Sequence, residues 1–303
     1  MLNFNAVTME DKTWVGSLLA AEPAMACEYN FATMYLWGDM FNRRIARCGD
    51  RLVMRLLEGE DVCYVYPVGS GPLAPALEEM EADARANGAP LRLICVPQVF
   101  RDNLEQEFPG RFSFESDRKA FDYLYAVDKL ADLKGKKMHA KRNHINRFNE
   151  NYPDWMFEPL TEANRGECLA MAGEWLARRE NEAGEEEMQQ LRHESGAIRD
   201  ALAQFEDLGL EGGLIRAEGR VVAFAVASRL GTDCCDIHFE KAFDDIQGAY
   251  SAINRELARH IRAKHPEVNW INREDDMGLE GLRKAKLSYH PDILLEKFIA
   301  VQV

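Results

Sequence analysis

The chain has 303 residues, of which 47% are hydrophobic, 10% aromatic and 29% charged, a composition typical of a folded globular protein with about two domains. Its 51 acidic residues outnumber the 37 basic ones, so the formal net charge is -14 and no general positive field attracts nucleic acid or anionic lipid. No window approaches the ~20 apolar residues that span a bilayer, and the N-terminus lacks a secretory pattern. Seven cysteines without a CxxC pair and seven histidines without an HExxH pattern indicate free thiols and no bound metal. We therefore expect a cytoplasmic protein.

In the first half of the chain, two helical patterns precede three strands, which are followed by helix, strand, helix and two further strands. The predicted helices cover residues 9–20, 31–42, 74–87 and 97–108. The predicted strands cover residues 44–48, 51–58, 61–68, 91–96, 112–116 and 121–127.

The second half repeats this order after one short strand. Its predicted helices cover residues 161–180, 186–208, 248–265 and 278–289. Its predicted strands cover residues 155–159, 211–219, 220–230, 233–240, 268–272 and 292–301. The shared order of two helices, three-strand meander, helix, strand, helix and strand predicts a duplication. We assign the two copies to residues 1–130 and 153–303, joined by a basic linking helix at 131–152.

This order matches the mixed-sheet α/β fold of the GCN5-related N-acetyltransferases. Three segments, EYNFATMYLWGDMFNRR (28–44), LKGKKMHAKRNHINRFNENYP (133–153) and NREDDMGLEGLRKAKLSYHPDILLEKF (272–298), resemble the soluble bacterial family related to the C-terminal domain of phosphatidylglycerol lysyltransferase. The resemblance covers essentially the whole chain. It implies a tandem duplication of the acetyltransferase-like fold, akin to the Fem peptidoglycan aminoacyltransferases.

Positive charge is concentrated in residues 133–149, which contain six Lys and Arg and no acidic residue, so that the rest of the chain carries 31 basic against 51 acidic residues, a net charge of -20. On a helix, Lys137, Lys141 and His144 would form one stripe, with Arg142 beside it. Such a surface could bind the phosphates of a transfer RNA through the 134–147 segment, or those of coenzyme A or a lipid headgroup. The alternative is a solvated helix between domains.

The strand at 233–240 alternates in character, which places Asp236, His238 and Glu240 on one face. In acetyltransferases of this fold a carboxylate on this strand often takes the proton from the attacking amine. Glu240 or His238 is therefore the candidate base, with Asp236 as a substrate-binding residue. The alternative is an edge strand that faces water.

The segment AFDDIQGAYS (242–251) occupies the position of the phosphate loop in this fold. Backbone N–H groups of Gln247, Gly248 and Ala249 could bind a phosphate at the start of the long helix. Asp244 and Asp245 stand where an arginine would be usual, and they would repel a pyrophosphate. The alternative is an ordinary helix start.

An acidic turn follows the strand at 268–272, where ligands of open α/β sheets bind. We expect the acidic residues Glu274, Asp275 and Asp276 to hold a substrate ammonium, with Asn272 and Arg273 as further substrate-binding residues. The aspartates could instead cap the next helix. That helix carries Lys284 and Lys286 as candidate phosphate ligands, and Tyr289 after it lies where the fold often supplies an acid for the leaving group.

Together these features predict an acyltransferase, with aminoacyl transfer from aminoacyl-tRNA to an amine or hydroxyl by direct attack as the first hypothesis. An acyl-CoA-dependent N-acetyltransferase and a non-catalytic ligand-binding protein on the same fold are the alternatives. We expect no tightly bound cofactor, and an acceptor that is a small molecule, a peptide or a lipid headgroup. The sequence gives no indication of the oligomeric state.

Overall fold

The computed structural model describes residues 2–59, 61–179 and 184–303, without the side chain of Glu186. The chain forms two compact units. The first unit consists of residues 1–123, 274–284 and 293–303, and the second of residues 124–273 and 285–292. Among the described residues, no helix combines the length and apolar character needed to cross a membrane.

The predicted order of elements is confirmed in both halves with four differences: β1 and α5 are additional, the helix at 186–208 is divided into α8 and α9, and the strand at 292–301 is divided into β13 and β14. The strands are β1 (Asn5–Ala6), β2 (Arg44–Cys48), β3 (Arg51–Glu58), β4 (Asp61–Gly69), β5 (Arg92–Pro97), β6 (Phe112–Ser116), β7 (Asp122–Ala126), β8 (Met156–Pro159), β9 (Leu210–Ala217), β10 (Arg220–Leu230), β11 (Cys234–Ala242), β12 (Trp270–Asn272), β13 (Ile293–Leu295) and β14 (Lys297–Gln302). The helices are α1 (Lys12–Ala21), α2 (Phe31–Leu36), α3 (Leu73–Ala86), α4 (Gln98–Glu107), α5 (Val127–Asp132), α6 (His139–Asn151), α7 (Glu162–Arg179), α8 (Glu185–Ala203), α9 (Phe205–Leu208), α10 (Ala249–Lys264) and α11 (Glu280–Leu287). The predicted end of the helix at residue 180 lies outside the described residues.

The first unit is built on a sheet with the order β1-β2-β3-β4-β5-β14-β6. Strand β14, the last of the chain, lies antiparallel between β5 and β6. It carries Lys297, whose side chain is fully buried and whose Nζ lies 2.8 Å from both carboxylate oxygens of Glu28 and 2.7 Å from Asp122. The side chains of Cys27, Glu28 and Asp122 lie close enough together to suit a metal ion, but the ammonium of Lys297 already binds both carboxylates.

In the second unit the strands pair in the order β7-β12-β11-β10-β9-β8. The alternative of an edge strand at 233–240 is therefore wrong, because β11 is hydrogen-bonded to β10 on one side and to β12 on the other. Helix α10 packs on this sheet through buried residues such as Ile253, Leu257 and Ile261. It ends at Lys264, since the residue before Pro266 disfavours helical geometry.

Strands β11 and β12 are parallel but stay together for only three residue pairs, from Cys234 with Trp270 to Asp236 with Asn272. Strand β12 ends there, whereas β11 continues to Ala242. The second half of β11 therefore has no partner strand on the β12 side. We use the name second-unit cleft for the region beside β11 beyond Asp236, where polar side chains of neighbouring elements lie next to the strand.

The two units differ from the predicted division at residues 130 and 153. The pattern at 292–301, expected to be one strand of the second copy, is divided into β13 and β14, and β14 completes the first sheet. Conversely, Leu124–Ala126 of β7 pair with β12. Sequence order cannot reveal this exchange, because backbone hydrogen bonds join strands that meet in space whatever their separation along the chain.

Candidate functional site

Glu240 of β11 lies in the second-unit cleft and is held by two polar groups. Its Oε1 accepts a hydrogen bond from Arg273 Nη2 at 3.0 Å, and its Oε2 accepts one from Asn254 Nδ2 at 2.9 Å. Arg273 directly follows β12, and Asn254 is on α10, so three neighbouring elements of the sheet and its covering helix meet here. Burial by itself would lower the pKa of Arg273, but the negative charge of Glu240 outweighs this effect and the pKa is raised. The guanidinium therefore stays charged.

The ring of Tyr289 lies beside this pair. Arg273 sits over one part of it, with its guanidinium carbon 4.9 Å from the ring centroid, and the Nζ of Lys141 lies 3.8 Å from the same centroid. The Tyr289 hydroxyl is 3.5 Å from Ser251 Oγ on α10. Burial raises the pKa of Tyr289 to about 12, so the hydroxyl keeps its proton at neutral pH. A protonated phenol can act as an acid.

Two buried polar atoms of this site have no hydrogen-bond partner among the described residues. They are Nη1 of Arg273, a donor, and Oδ1 of Asn254, an acceptor. Buried polar atoms in folded proteins are nearly always paired, and leaving one unpaired costs about 1–3 kcal/mol. One donor and one acceptor beside the same carboxylate suit a ligand that presents a carbonyl oxygen together with an N–H group.

His238 lies on the same strand but is enclosed. Its Nε2 is 2.8 Å from the hydroxyl of Ser228 on β10, and its Nδ1 is 3.8 Å from a carboxylate oxygen of Asp236. Burial lowers the pKa of His238, so the ring is neutral at pH 7. Asp236 and Asn272 are fully buried as partners in the β11/β12 register. These three residues are structural neighbours of the cleft.

The acidic turn serves mainly the fold of the first unit. Asp276 is fully buried and accepts hydrogen bonds from two donors of Arg283, one of Arg118, the Tyr123 hydroxyl and the Gly278 N–H. Burial by itself would raise the pKa of Asp276, but the bonds from Arg283 and Tyr123 hold it below its usual range. The expectation of an ammonium site is therefore wrong at Asp276, because its carboxylate is already occupied.

The neighbours of Asp276 have local roles as well. Asp275 accepts from the N–H of Met277, and the carbonyl of Glu274 accepts from the N–H of Tyr123. The alternative that the two aspartates cap the next helix is not met either, because they accept from the N–H groups of Met277 and Gly278, which precede α11.

Several expected phosphate ligands point elsewhere. Lys137 precedes α6 and is exposed, whereas Lys141 turns inward onto Tyr289, so the predicted stripe does not exist as one surface. The Arg142 Nη1 donates to the carbonyls of Leu133 and Gly135. Lys284 is exposed on α11, and the ammonium of Lys286 donates to the carbonyl of Arg273.

The expected phosphate loop is covered. Gly248 is the N-cap residue immediately before α10 and has a φ of +92°. A Cβ placed there would lie 2.3 Å from the carbonyl oxygen of His144 on α6. The N–H of Ala249 donates to the carbonyl of Ile246, and Gln247 is exposed. A close backbone approach explains this glycine better than a bound pyrophosphate does.

A cleft of about 390 Å³ between α6 and α10 contains residues that the sequence did not indicate. It is lined by Asp132, Leu133, His139, Arg142, Asn143, Asn146, Arg255 and Arg259. We call it the arginine cleft.

Sequence reasoning did not indicate three polar residues of α10, Ser251, Asn254 and Arg255. Polar residues on an amphipathic helix normally face solvent, but Asn254 and Ser251 are buried. The spacing of three residues between Ser251 and Asn254, which places them on one face of the helix, was the sequence feature that could have indicated them.

The family model described as phosphatidylglycerol lysyltransferase, C-terminal, matches residues 21–301. A curated protein, an uncharacterized protein of Mycoplasmoides gallisepticum, is 24% identical over 179 residues, which are 59% of this chain and 55% of that protein. The chain thus spans about half the length of this curated relative.

Two solved structures are similar over nearly the whole chain. A conserved protein of unknown function from Bacteroides thetaiotaomicron is 36% identical, with all of both chains covered and a TM-score of 0.91. The C-terminal domain of an Agrobacterium fabrum protein named as a lysylphosphatidylglycerol synthetase is 15% identical, with 97% of this chain and 92% of that chain covered and a TM-score of 0.67. At this identity the second match shows the fold alone, and it confirms the mixed-sheet α/β fold class.

Proposed function

This chain belongs to the phosphatidylglycerol lysyltransferase C-terminal family, and from that premise we propose that it is an acyltransferase that moves an aminoacyl group from aminoacyl-tRNA to an amine or hydroxyl. The single observation that carries the proposal is the pair of unpaired buried atoms, Arg273 Nη1 and Asn254 Oδ1, on either side of Glu240. An aminoacyl ester offers a carbonyl oxygen to the first and an amino group to the second.

In the reaction, the acceptor attacks the ester carbonyl directly. A bond forms between its nitrogen or oxygen and the carbonyl carbon, and the ester C–O bond breaks. Glu240 takes the acceptor proton, and the guanidinium of Arg273 stabilises the negative charge that develops on the carbonyl oxygen. The hydroxyl of Tyr289 returns a proton to the leaving ribose oxygen. His238 then has a positioning role, since both of its ring nitrogens face neighbouring polar groups.

The donor's phosphates fit the arginine cleft better than the start of α10. Arg255 and Arg259 of α10 line this cleft, and Lys137 and Arg147 of the basic segment are exposed. The covered backbone at Gly248 argues against a coenzyme A pyrophosphate at the usual position. A nucleic acid donor, whose phosphates are spread over a large surface, is therefore favoured over coenzyme A.

The first experiment supplies the purified protein with radiolabelled aminoacyl-tRNA or acetyl-CoA and a panel of amine and hydroxyl acceptors. We expect transfer from aminoacyl-tRNA, reduced about 100- to 10,000-fold by Glu240→Gln and at least tenfold by Tyr289→Phe. Glu150→Gln on the exposed face of α6 and Tyr152→Phe are the matched controls.

Each other outcome identifies a different function. Acetyl transfer from acetyl-CoA alone would establish the acetyltransferase alternative. Turnover from no donor, combined with ligand-dependent thermal stabilisation, would identify a binding protein; a ligand at a hundred times its Kd stabilises by about 2.7 kcal/mol.

The donor is tested separately by salt dependence. Because RNA binding releases many counterions, log K for tRNA should fall steeply with log salt, and the slope should become shallower in Lys137→Glu with Arg147→Glu. Lys141 is not suitable for charge reversal because it contacts the buried ring of Tyr289. A salt slope near zero would exclude tRNA as the donor.

A further inference from the structure

Lys141 has an unusual environment for a lysine on a basic helix. It is half-buried on α6, and its Nζ lies over the ring of Tyr289. The charged groups that face it are Arg273, which follows β12, and Glu240 of β11. None of the carboxylates among the described residues lies within ion-pair distance of its ammonium, whereas its neighbour Lys134 pairs with Asp132 at 2.7 Å.

The contact with the ring of Tyr289 favours the charged form of the amine, but burial and a neighbouring cation disfavour it. Burial, together with the positive charge of Arg273, lowers the pKa of Lys141 to about 8, although Glu240 opposes this. At pH 7.5 about a quarter of such an amine is neutral, compared with about 0.1% of an exposed lysine. A desolvated lysine beside another cation is a recognised way to activate an amine nucleophile.

We propose that Lys141 is an acylation site of this protein, whose ε-amine accepts an acyl group from an activated ester or thioester that reaches the second-unit cleft. The lone pair of Nζ attacks the carbonyl carbon and forms the N–C bond. The C–O or C–S bond then breaks, its electron pair leaves with the alkoxide or thiolate, and the nitrogen loses one proton to solvent. The product is a neutral amide.

The modification has a consequence for the site. It removes the positive charge above Tyr289 and adds an acyl group between α6 and the residues around Glu240. We expect the acyl group on Lys141 to obstruct the cleft. The acylation itself does not require the proposed transfer reaction; only its effect on activity rests on the proposed function.

The test is a labelling competition within the unmodified wild-type chain. The protein is treated with a small amount of p-nitrophenyl acetate at pH 7.5, digested with a protease that cleaves at acidic residues, and analysed by mass spectrometry. We expect acetylation of Lys141 to be at least five times faster than that of exposed Lys136 and Lys137, which lie on the same segment and serve as internal controls. Equal or slower labelling of Lys141 overturns the proposal.

The pH profile provides a second, independent readout. The labelling rate of Lys141 should level off above about pH 8, whereas that of an ordinary exposed lysine rises through pH 10. A Lys141 profile that rises in parallel with Lys137 overturns the proposal. No tRNA, coenzyme A or acceptor is used, so failure here is separate from failure of the proposed function.

Discussion

At the scale of single residues, the candidate site depends on side chains whose ionisation is set by burial. Glu240 and Arg273 form an ion pair at 3.0 Å, whereas no carboxylate in the described part of the chain lies within ion-pair distance of the Lys141 ammonium. Burial and the positive charge of Arg273 lower the pKa of Lys141 to about 8, so this amine loses its proton in the weakly alkaline range.

Lys141 should make the stability of the protein depend on pH in a definite direction. Its pKa is about 8 in the folded state and near 10.4 in the unfolded state, so between these values the unfolded chain binds more protons. The contribution of Lys141 to the free energy of unfolding therefore increases from about pH 8 to pH 10. Urea unfolding of the wild type and Lys141→Met should show this as a difference between the two curves, with Lys137→Met behaving like the wild type. A flat difference would contradict the assigned environment.

At the scale of elements, the contact between α6 and α10 organises the second unit. Ile145 and Phe148 of α6 are buried, and the backbone of α6 at His144 approaches Gly248 closely. This packing brings Lys141 over Tyr289 and Arg142 opposite Arg255 and Arg259. The linking helix is thus part of the candidate site.

Gly248→Ala tests the closeness of this contact. The added methyl group would meet the carbonyl of His144 at 2.3 Å, and the φ of +92° is unfavourable for alanine, so we expect a loss of about 2 kcal/mol or more in unfolding free energy. Gly173→Ala is the matched control, because this glycine lies within α7 with no atom within 4 Å of the new Cβ, and it should gain about 0.5–1 kcal/mol. Equal effects of the two substitutions in urea titrations would refute the close packing.

At the scale of the whole molecule, each sheet contains a strand from outside its own half of the sequence. Strand β14 lies between two strands of the first sheet, and it brings Lys297 to the carboxylates of Glu28 and Asp122. Strand β7 pairs with β12 in the second sheet. Neither half of the sequence therefore contains a complete set of strands.

Fragments cut at the predicted domain boundary should consequently not fold alone. We expect residues 1–130 and residues 131–303 to show no cooperative thermal unfolding separately. The first fragment lacks β14, which lies between β5 and β6, and the second lacks β7, the partner of β12, so each exposes unpaired backbone groups. When the two fragments are mixed or co-expressed, cooperative thermal unfolding should return. The control is the full chain cleaved after residue 152, which retains every strand and should stay folded. Independent folding of either fragment would contradict the exchange.

The sequence by itself determined the order of elements, the fold class, the family and two central residues of the candidate site, Glu240 and Tyr289. These are local properties: periodicity, helix-ending residues and motif spacing act over a few neighbouring positions. Only the tertiary structure decided that β14 completes the first sheet, that the carboxylate of Asp276 is paired with Arg283, and that Lys141 faces inward. Strand pairing and burial depend on residues far apart in sequence, and burial in turn decides which polar groups remain available for chemistry.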